Sequence, residues 1–219
     1  MSDTKTDRNH SLQATEFMWD TAGPTEVHAY VASKLGHWIK KSGAKSLLDI
    51  GCGNGSLTAR LCRRGMRCAG MDMSLSGLAL ARHNYPDIDF FESSLDSPLP
   101  DKHRHSYDLV ISVEVIEHLL LPRQLFERAR EALKPGGTLI VTTPYHGYVK
   151  NLALALCGKF DQHWHPLRDY GHVKFFSSKT LRLLFNEQRF SIDEEARAGR
   201  IPIFARSMLM RGTISNTST

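Results

Sequence analysis

Glu114, Glu117 and His118 fall at i, i+3 and i+4 in the segment SVEVIEHL, Ser112 to Leu119. On a helical turn those offsets put all three side chains on one face. Two carboxylates and an imidazole converging in a cleft form a donor set for a divalent metal. The same spacing also suits the solvated start of a helix, where acids are favoured near the N-terminus. A second constellation lies upstream in LLDIGCGNGSL, Leu47 to Leu57. Leu47, Leu48 and Ile50 flank one acid, Asp49, and Gly51, Gly53 and Gly55 follow two apart. An apolar run of this kind reads as a buried parallel strand, and the glycines as a loop whose backbone can approach a ligand closely. Asp72 ends another apolar run, Met66 to Met71, where an acid can take both hydroxyls of a ribose. A strand, a glycine turn and a helix start together make a nucleotide-binding corner.

These residues need a sheet with helices on both faces to hold them. Apolar runs predict strands at 46–50, 67–71, 88–92, 107–112 and 138–143. Helical patterns fall between them at 57–64, 75–84, 123–133 and 178–188, after a first helix near Thr25 to Lys41. The alternation predicts an α/β, doubly wound sheet. Pro122 suits a helix start, and Pro135-Gly136-Gly137 a helix stop. FSIDEEARAG and FARSMLMRG near the end read as a closing strand pair. Between the fifth strand and the 178–188 helix lies a long segment, Tyr145 to Phe176, with an apolar piece NLALAL and three of its histidines in HWH and GHV. A connection of that length at the carboxyl end of a strand is expected to bind substrate.

At 219 residues the chain is read as one domain over 15–219, after a flexible stretch at 1–14. Phe17, Met18 and Trp19 precede the first helix, and 15–43 reads as a lid or as a helix packed on the sheet. The net charge of +5 allows an acidic partner or an anionic membrane surface, and equally a solvated basic surface. Four cysteines without C-x-x-C spacing and a polar start, Met1 to Ser11, point to a reducing cytoplasm. The longest apolar run, Leu152 to Cys157, is too short to span a bilayer.

The glycine spacing separates cofactors. Dinucleotide binders favour G-x-G-x-x-G with a pyrophosphate on the helix dipole. Here the third glycine comes one residue early and Asp49 sits in the corner. S-adenosylmethionine has no phosphate but does have an ammonium group, which suits a carboxylate. The chain resembles the class I S-adenosylmethionine-dependent methyltransferases from about Ala44 to Pro144. DIGCGNG, MDMS, YDLVIS and LKPGGTLIVTTP carry the likeness. It implies a seven-stranded, mostly parallel Rossmann-like sheet with an antiparallel strand at one edge and an insertion at 145–176. It also implies cofactor contacts from Asp49, Gly51, Gly53, Gly55, Asp72, Met73, Ser94, Leu95 and Val113. Members often carry an acid where this chain has Ser94, with Asp96 two residues on.

The pair EVIEH and GHVKFF is similar to two subfamilies, the ubiquinone-biosynthesis O-methyltransferases and the small-RNA 2′-O-methyltransferases. The second likeness implies that Glu114, Glu117, His118 and His172 hold a divalent metal, Mg, Mn, Fe or Zn, with His163 and His165 as alternatives to His172. Such an ion lowers the pKa of an acceptor hydroxyl and fixes it against the methyl carbon. Glu114 and His118 are then catalytic as well, with His146 a general base or a surface histidine. The expected activity is O-methylation of a small-molecule hydroxyl in a catechol, a vicinal diol or a natural-product intermediate. Metal-independent methylation of nitrogen or carboxylate is the alternative, as is 2′-O-methylation of RNA. No separate RNA-binding segment accompanies the motifs, so the expected partner is a small molecule rather than nucleic acid. A peripheral membrane contact is expected through 145–176.

Overall fold

The computed structural model describes Trp19, Thr21, Gly23 and residues 26–160, 171–199 and 205–215. The chain runs α1 (Glu26–Ser42), β1 (Ser46–Ile50), α2 (Ser56–Leu61), β2 (Arg67–Asp72), α3 (Leu75–Asn84) and β3 (Asp89–Glu92). It continues through β4 (Tyr107–Val113), α4 (Arg123–Ala132), β5 (Leu133–Pro144), α5 (Tyr148–Leu156), α6 (Ser178–Glu187), β6 (Phe190–Ala198) and β7 (Ser207–Ile214). The strands form one sheet in the order β3-β2-β1-β4-β5-β7-β6. Strands β1 to β5 are parallel, and β7 runs antiparallel between β5 and β6.

The alternation of a strand's side chains explains why this sheet needs helices on both faces. Leu48 and Ile50 of β1 join Val110, Leu139 and Val141 beneath Phe126 of α4 and Phe185 of α6. Leu47, one residue before Leu48 and so on the opposite face, joins Leu109, Ile111 and Ile140 beneath Leu35, Trp38 and Ile39 of α1 and Leu57 of α2. All five residues of β1 are buried, as a central parallel strand requires. The Trp38 indole donates to Glu194 Oε1 at 2.8 Å, which ties α1 to β6. Strand order turns back between β1 and β4, so a crevice opens past their carboxyl ends, where such sheets bind ligands.

Several boundaries differ from the sequence reading. Helix α2 stops at Leu61 rather than 64, and Cys62 at its end forms a disulfide with Cys68 of β2. This bridge departs from the reading of the cysteines as reduced, and spacing did not suggest the pair because the chain turns between them, bringing their Cα atoms to 6.0 Å. Strand β5 begins at Leu133, not at 138, because Leu133 already pairs with Tyr107. The turn at Pro135-Gly136-Gly137 becomes an irregularity between Tyr107 and Leu109 in the ladder. Gly136 makes this possible with φ 74°. The 145–176 segment carries α5. Residues 1–14, with His163 and His165 of the insertion, lie outside the described residues.

Candidate active site

The corner after β1 is built from three left-handed glycines, Gly51, Gly53 and Gly55, at φ 82°, 52° and 72°. Each faces a different neighbour. A Cβ on Gly51 would enter Val115, one on Gly55 would enter Phe90 and Ala81, and one on Gly53 would enter the Trp19 indole. Asp49 is buried behind this loop, with Thr58 Oγ1 donating to its Oδ2 at 2.6 Å. Its Oδ1 is also buried and has no hydrogen-bond partner. Burial raises its pKa to about 7, against the Thr58 bond and with the Asp72 charge adding to the rise. An uncompensated buried acid of this kind suits a cationic group of a ligand.

Asp72 stands at the end of β2. Its Oδ2 accepts from Gly53 N at 2.7 Å and its Oδ1 from Ser74 N at 2.8 Å. The Ser74 hydroxyl in turn caps α3 by accepting from Gly77 N at 3.1 Å. Met73 beside it is 57 % exposed, and so free to lie on a ligand's flat face. Val113 and Leu95 are partly buried against the two core layers. Ser94 turns its hydroxyl toward Asp96 Oδ2 at 3.3 Å, so the two residues act as one polar unit at the end of β3.

The E-x-x-E-H segment is not the helical turn that its spacing suggests. Glu114 ends β4 in the left-handed region at φ 56°, and only Ile116–His118 forms a short 3₁₀ turn. That bend turns Glu114 toward β5, where Thr142 Oγ1 donates to Glu114 Oε1 at 2.7 Å. The main-chain N–H of Glu114 donates back to Thr142 Oγ1 at 3.1 Å. Burial pushes the Glu114 carboxyl up to about 7, opposed by the Thr142 hydroxyl. Of the four expected ligands, Glu117, His118 and His172 bring one ligand atom each within 4.8 Å of one another, while the Glu114 carboxylate is bonded to Thr142.

His172 reaches this place through the main chain. The N–H groups of Val173 and Lys174 both donate to the Glu117 carbonyl, at 2.8 and 2.9 Å. His118 Nδ1 lies 3.2 Å from the Gly171 carbonyl. The two imidazoles meet edge to face with centroids 4.8 Å apart, and His172 Nε2 lies 4.0 Å from Glu117 Oε1. The Glu117 side chain is 1 % exposed, and neither carboxylate oxygen has a hydrogen-bond partner. Burial and the neighbouring Glu114 hold its pKa well above the usual carboxylate range. Two unsatisfied buried carboxylate oxygens facing two imidazoles fit a divalent cation, which would supply the missing counter-charge.

His146 follows β5 and is buried rather than on the surface, edge-on to the Phe175 ring with centroids 5.1 Å apart. Lys150 of α5 donates to the Tyr145 carbonyl at 3.1 Å, and burial lowers its pKa. Outward from it, Tyr148, Val149, Leu152 and Leu156 leave an apolar face of α5 exposed. Leu120, Leu121, Lys174, Phe175 and Phe176 line a cavity of about 270 Å³ next to His118 and His172 in sequence.

Sequence reasoning missed Thr58 and Thr142, the hydroxyls that hold the two raised carboxyls. A threonine one turn into a helix or mid-strand carries no distinctive signal. It also missed Asn54, whose Nδ2 donates to the carbonyls of Thr21 and Gly23 at 2.8 and 2.9 Å. The signal was a polar residue between two glycines, a place where a side chain commonly bonds to backbone.

A family described as a methyltransferase domain matches residues 26–195. The ubiquinone biosynthesis O-methyltransferase of Cronobacter sakazakii is 29 % identical over 133 residues, covering 57 % of this chain and 54 % of that protein. The enzyme of the same name from a Bradyrhizobium species is 30 % identical over 155 residues, covering 68 % and 60 %. The chain thus spans little more than half the length of these curated relatives. Among solved structures, magnesium protoporphyrin IX methyltransferase from Synechocystis, with bound S-adenosylhomocysteine, superposes with a TM-score of 0.65 at 18 % identity. That match covers 84 % of this chain and 82 % of the other, and it is a likeness of fold. With the glycine corner, Asp72 and the 3-2-1-4-5-7-6 sheet in place, the chain belongs to the methyltransferase-domain family and carries the class I S-adenosylmethionine-dependent methyltransferase fold.

Proposed function

We propose that this protein transfers the methyl group of S-adenosylmethionine to a hydroxyl of a small molecule, with a divalent ion held by Glu117, His118 and His172. The observation that carries this reading is the Glu117 carboxylate, buried without a hydrogen-bond partner and facing two imidazoles at the mouth of the β1–β4 crevice. That curated relatives are O-methyltransferases supports oxygen as the acceptor. When bound, the ion would polarise the acceptor oxygen and let a catechol or vicinal diol chelate through both oxygens.

The chain's own residues do the rest. Asp49 and Asp72 fix the cofactor's ammonium and ribose, which aims the sulfonium methyl along the crevice. In the transfer the acceptor oxygen forms a bond to the methyl carbon as the carbon–sulfur bond breaks, and the electron pair stays on sulfur. The hydroxyl proton leaves to a base, a role this reading gives to His146 on the insertion side. Val173 and Lys174, bonded to the Glu117 carbonyl, keep the insertion over the site.

The test is labelled methyl transfer to a panel of catechols and vicinal diols after chelation, then with Mg²⁺, Mn²⁺, Fe²⁺ or Zn²⁺ restored. The expected result is loss on chelation and recovery with one ion. Transfer to amines or carboxylates that resists chelation would instead establish the metal-independent alternative, and transfer to RNA would replace the small-molecule reading. A peripheral contact with an anionic membrane is a second reading. It rests on the exposed apolar face of α5, followed by the exposed Lys159. Among the described residues no helix is long and apolar enough to cross a membrane.

A further inference from the structure

Gly53 is the middle glycine of the motif, yet the space above it is filled by protein. A Cβ built there would lie 2.7 Å from Cε2 of Trp19. Gly77, in the first turn of α3, is blocked by the same indole, with Trp19 Cδ1 at 2.9 Å. Gly77 also packs directly on Gly53, whose carbonyl would lie 3.0 Å from its Cβ. The indole therefore sits where the glycine loop after β1 touches the turn after β2. Polar bonds hold it there. Trp19 N donates to Ser76 Oγ at 3.2 Å, and Ser76 Oγ lies 3.0 Å from Ser74 Oγ. Asn54, fully buried, grips the carbonyls of Thr21 and Gly23. The two loops that Trp19 spans are the ones joined by the Gly53–Asp72 bond, and they carry the cofactor's contacts.

We infer that Trp19 is a positioning residue of the cofactor site, wedged between the glycine loop and the β2–α3 turn, and that the missing side chain of Gly53, which its left-handed backbone already favours, also makes room for this indole. The inference rests on the assignment of S-adenosylmethionine as methyl donor. Its physical content is preorganisation. An aromatic side chain touching both loops keeps Asp72 and the Gly53 N–H in the geometry the cofactor meets, so less ordering remains for binding to do. Asn54 holds the Thr21 and Gly23 carbonyls against the loop, close in sequence to Trp19.

A double-mutant cycle on S-adenosylhomocysteine affinity, measured by calorimetry, tests this. The proteins are wild type, Trp19→Ala, Trp19→Phe, Gly53→Ala and the Gly53→Ala/Trp19→Ala pair, each checked by thermal unfolding without ligand. The account expects Trp19→Ala to weaken binding by about tenfold or more, and Trp19→Phe to recover most of it by keeping a ring in the wedge. Gly53→Ala should weaken binding strongly on its own, yet add less than about threefold once Trp19 is alanine. Should Gly53→Ala alone fail to fold while the pair folds, the clash with the indole is shown by another route. Affinity unchanged in Trp19→Ala, no recovery by phenylalanine, or fully multiplicative effects of the two changes would overturn the inference. Failure of the wild type to bind S-adenosylhomocysteine would instead overturn the cofactor assignment.

Discussion

Asp49 sets how both stability and cofactor affinity move with pH. The residue is 2 % exposed, Thr58 serves one oxygen and nothing serves the other. Burial raises its pKa from 3.8 to about 7. A folded-state value above the unfolded one means that the folded chain binds the proton more tightly. The stability from this group is therefore whole below about pH 4 and is lost as pH rises to about 7. Each pH unit in that span is about 1.4 kcal/mol, so the interval from 3.8 to about 7 amounts to roughly 4 kcal/mol. Asp49→Asn abolishes the titration and keeps an oxygen for Thr58, but it buries an amide N–H group without a partner at a cost of about 1–3 kcal/mol. Free of cofactor, the variant should then be more stable than wild type by roughly 1–3 kcal/mol at pH 8. That advantage should shrink and reverse toward pH 5. On the proposed cofactor reading, the ammonium reverses the preference, because it would pair with ionised Asp49. Wild-type affinity for S-adenosylhomocysteine should rise by up to about tenfold per pH unit from 6 to 7, while the variant stays weak and flat. Denaturant unfolding and calorimetry between pH 5 and 8.5 read both effects. A stability gap between the two proteins that does not move with pH would refute the reasoning.

Asp72→Ala removes the acceptor for Gly53 N and Ser74 N and should weaken S-adenosylhomocysteine binding by about 1–3 kcal/mol with the fold retained. Calorimetry showing native affinity would take Asp72 out of the site. Thr142→Val removes the Thr142 hydroxyl's two bonds to Glu114 while the main-chain bond to the Thr142 carbonyl and the Ser207 bond remain, and it should cost about 1–3 kcal/mol in denaturant unfolding, so native stability would contradict the bonding described. Leu152→Glu with Leu156→Glu changes side chains that are 45 % and 80 % exposed, so stability should shift by no more than about 0.5 kcal/mol per change. The same pair should abolish sedimentation with anionic vesicles. Sedimentation that persists, or that the unaltered protein never shows, would remove the membrane reading.

The sheet was legible because β1 and β4 are mostly apolar, and because glycines and aspartates stand where parallel strands end. The ends of elements were less so. Leu133 joins β5 because Tyr107 offers it a partner, and a pairing partner is a tertiary fact that local composition does not contain. Glu114 shows the same limit at the site. Its i, i+3, i+4 spacing fits a helix, but the residue adopts a left-handed turn in which the Thr142 hydroxyl accepts from its N–H and donates to its carboxylate. Trp19 was visible as an aromatic ahead of the first helix, yet its place over Gly53 depends on side-chain shape across the 33 residues between Trp19 and Gly53. His172 lay within reach of motif reading because its segment is a compact run of aromatic and basic residues, GHVKFF. The main-chain bonds to the Glu117 carbonyl that deliver it leave no trace in residue type.

The most direct measurement is a crystal grown with S-adenosylhomocysteine and Mn²⁺, with diffraction recorded at the manganese absorption edge. The account predicts one anomalous peak coordinated together by Glu117, His118 and His172, opposite the cofactor's sulfur. A crystal with the cofactor bound and no peak among those three side chains would contradict the metal-assisted mechanism.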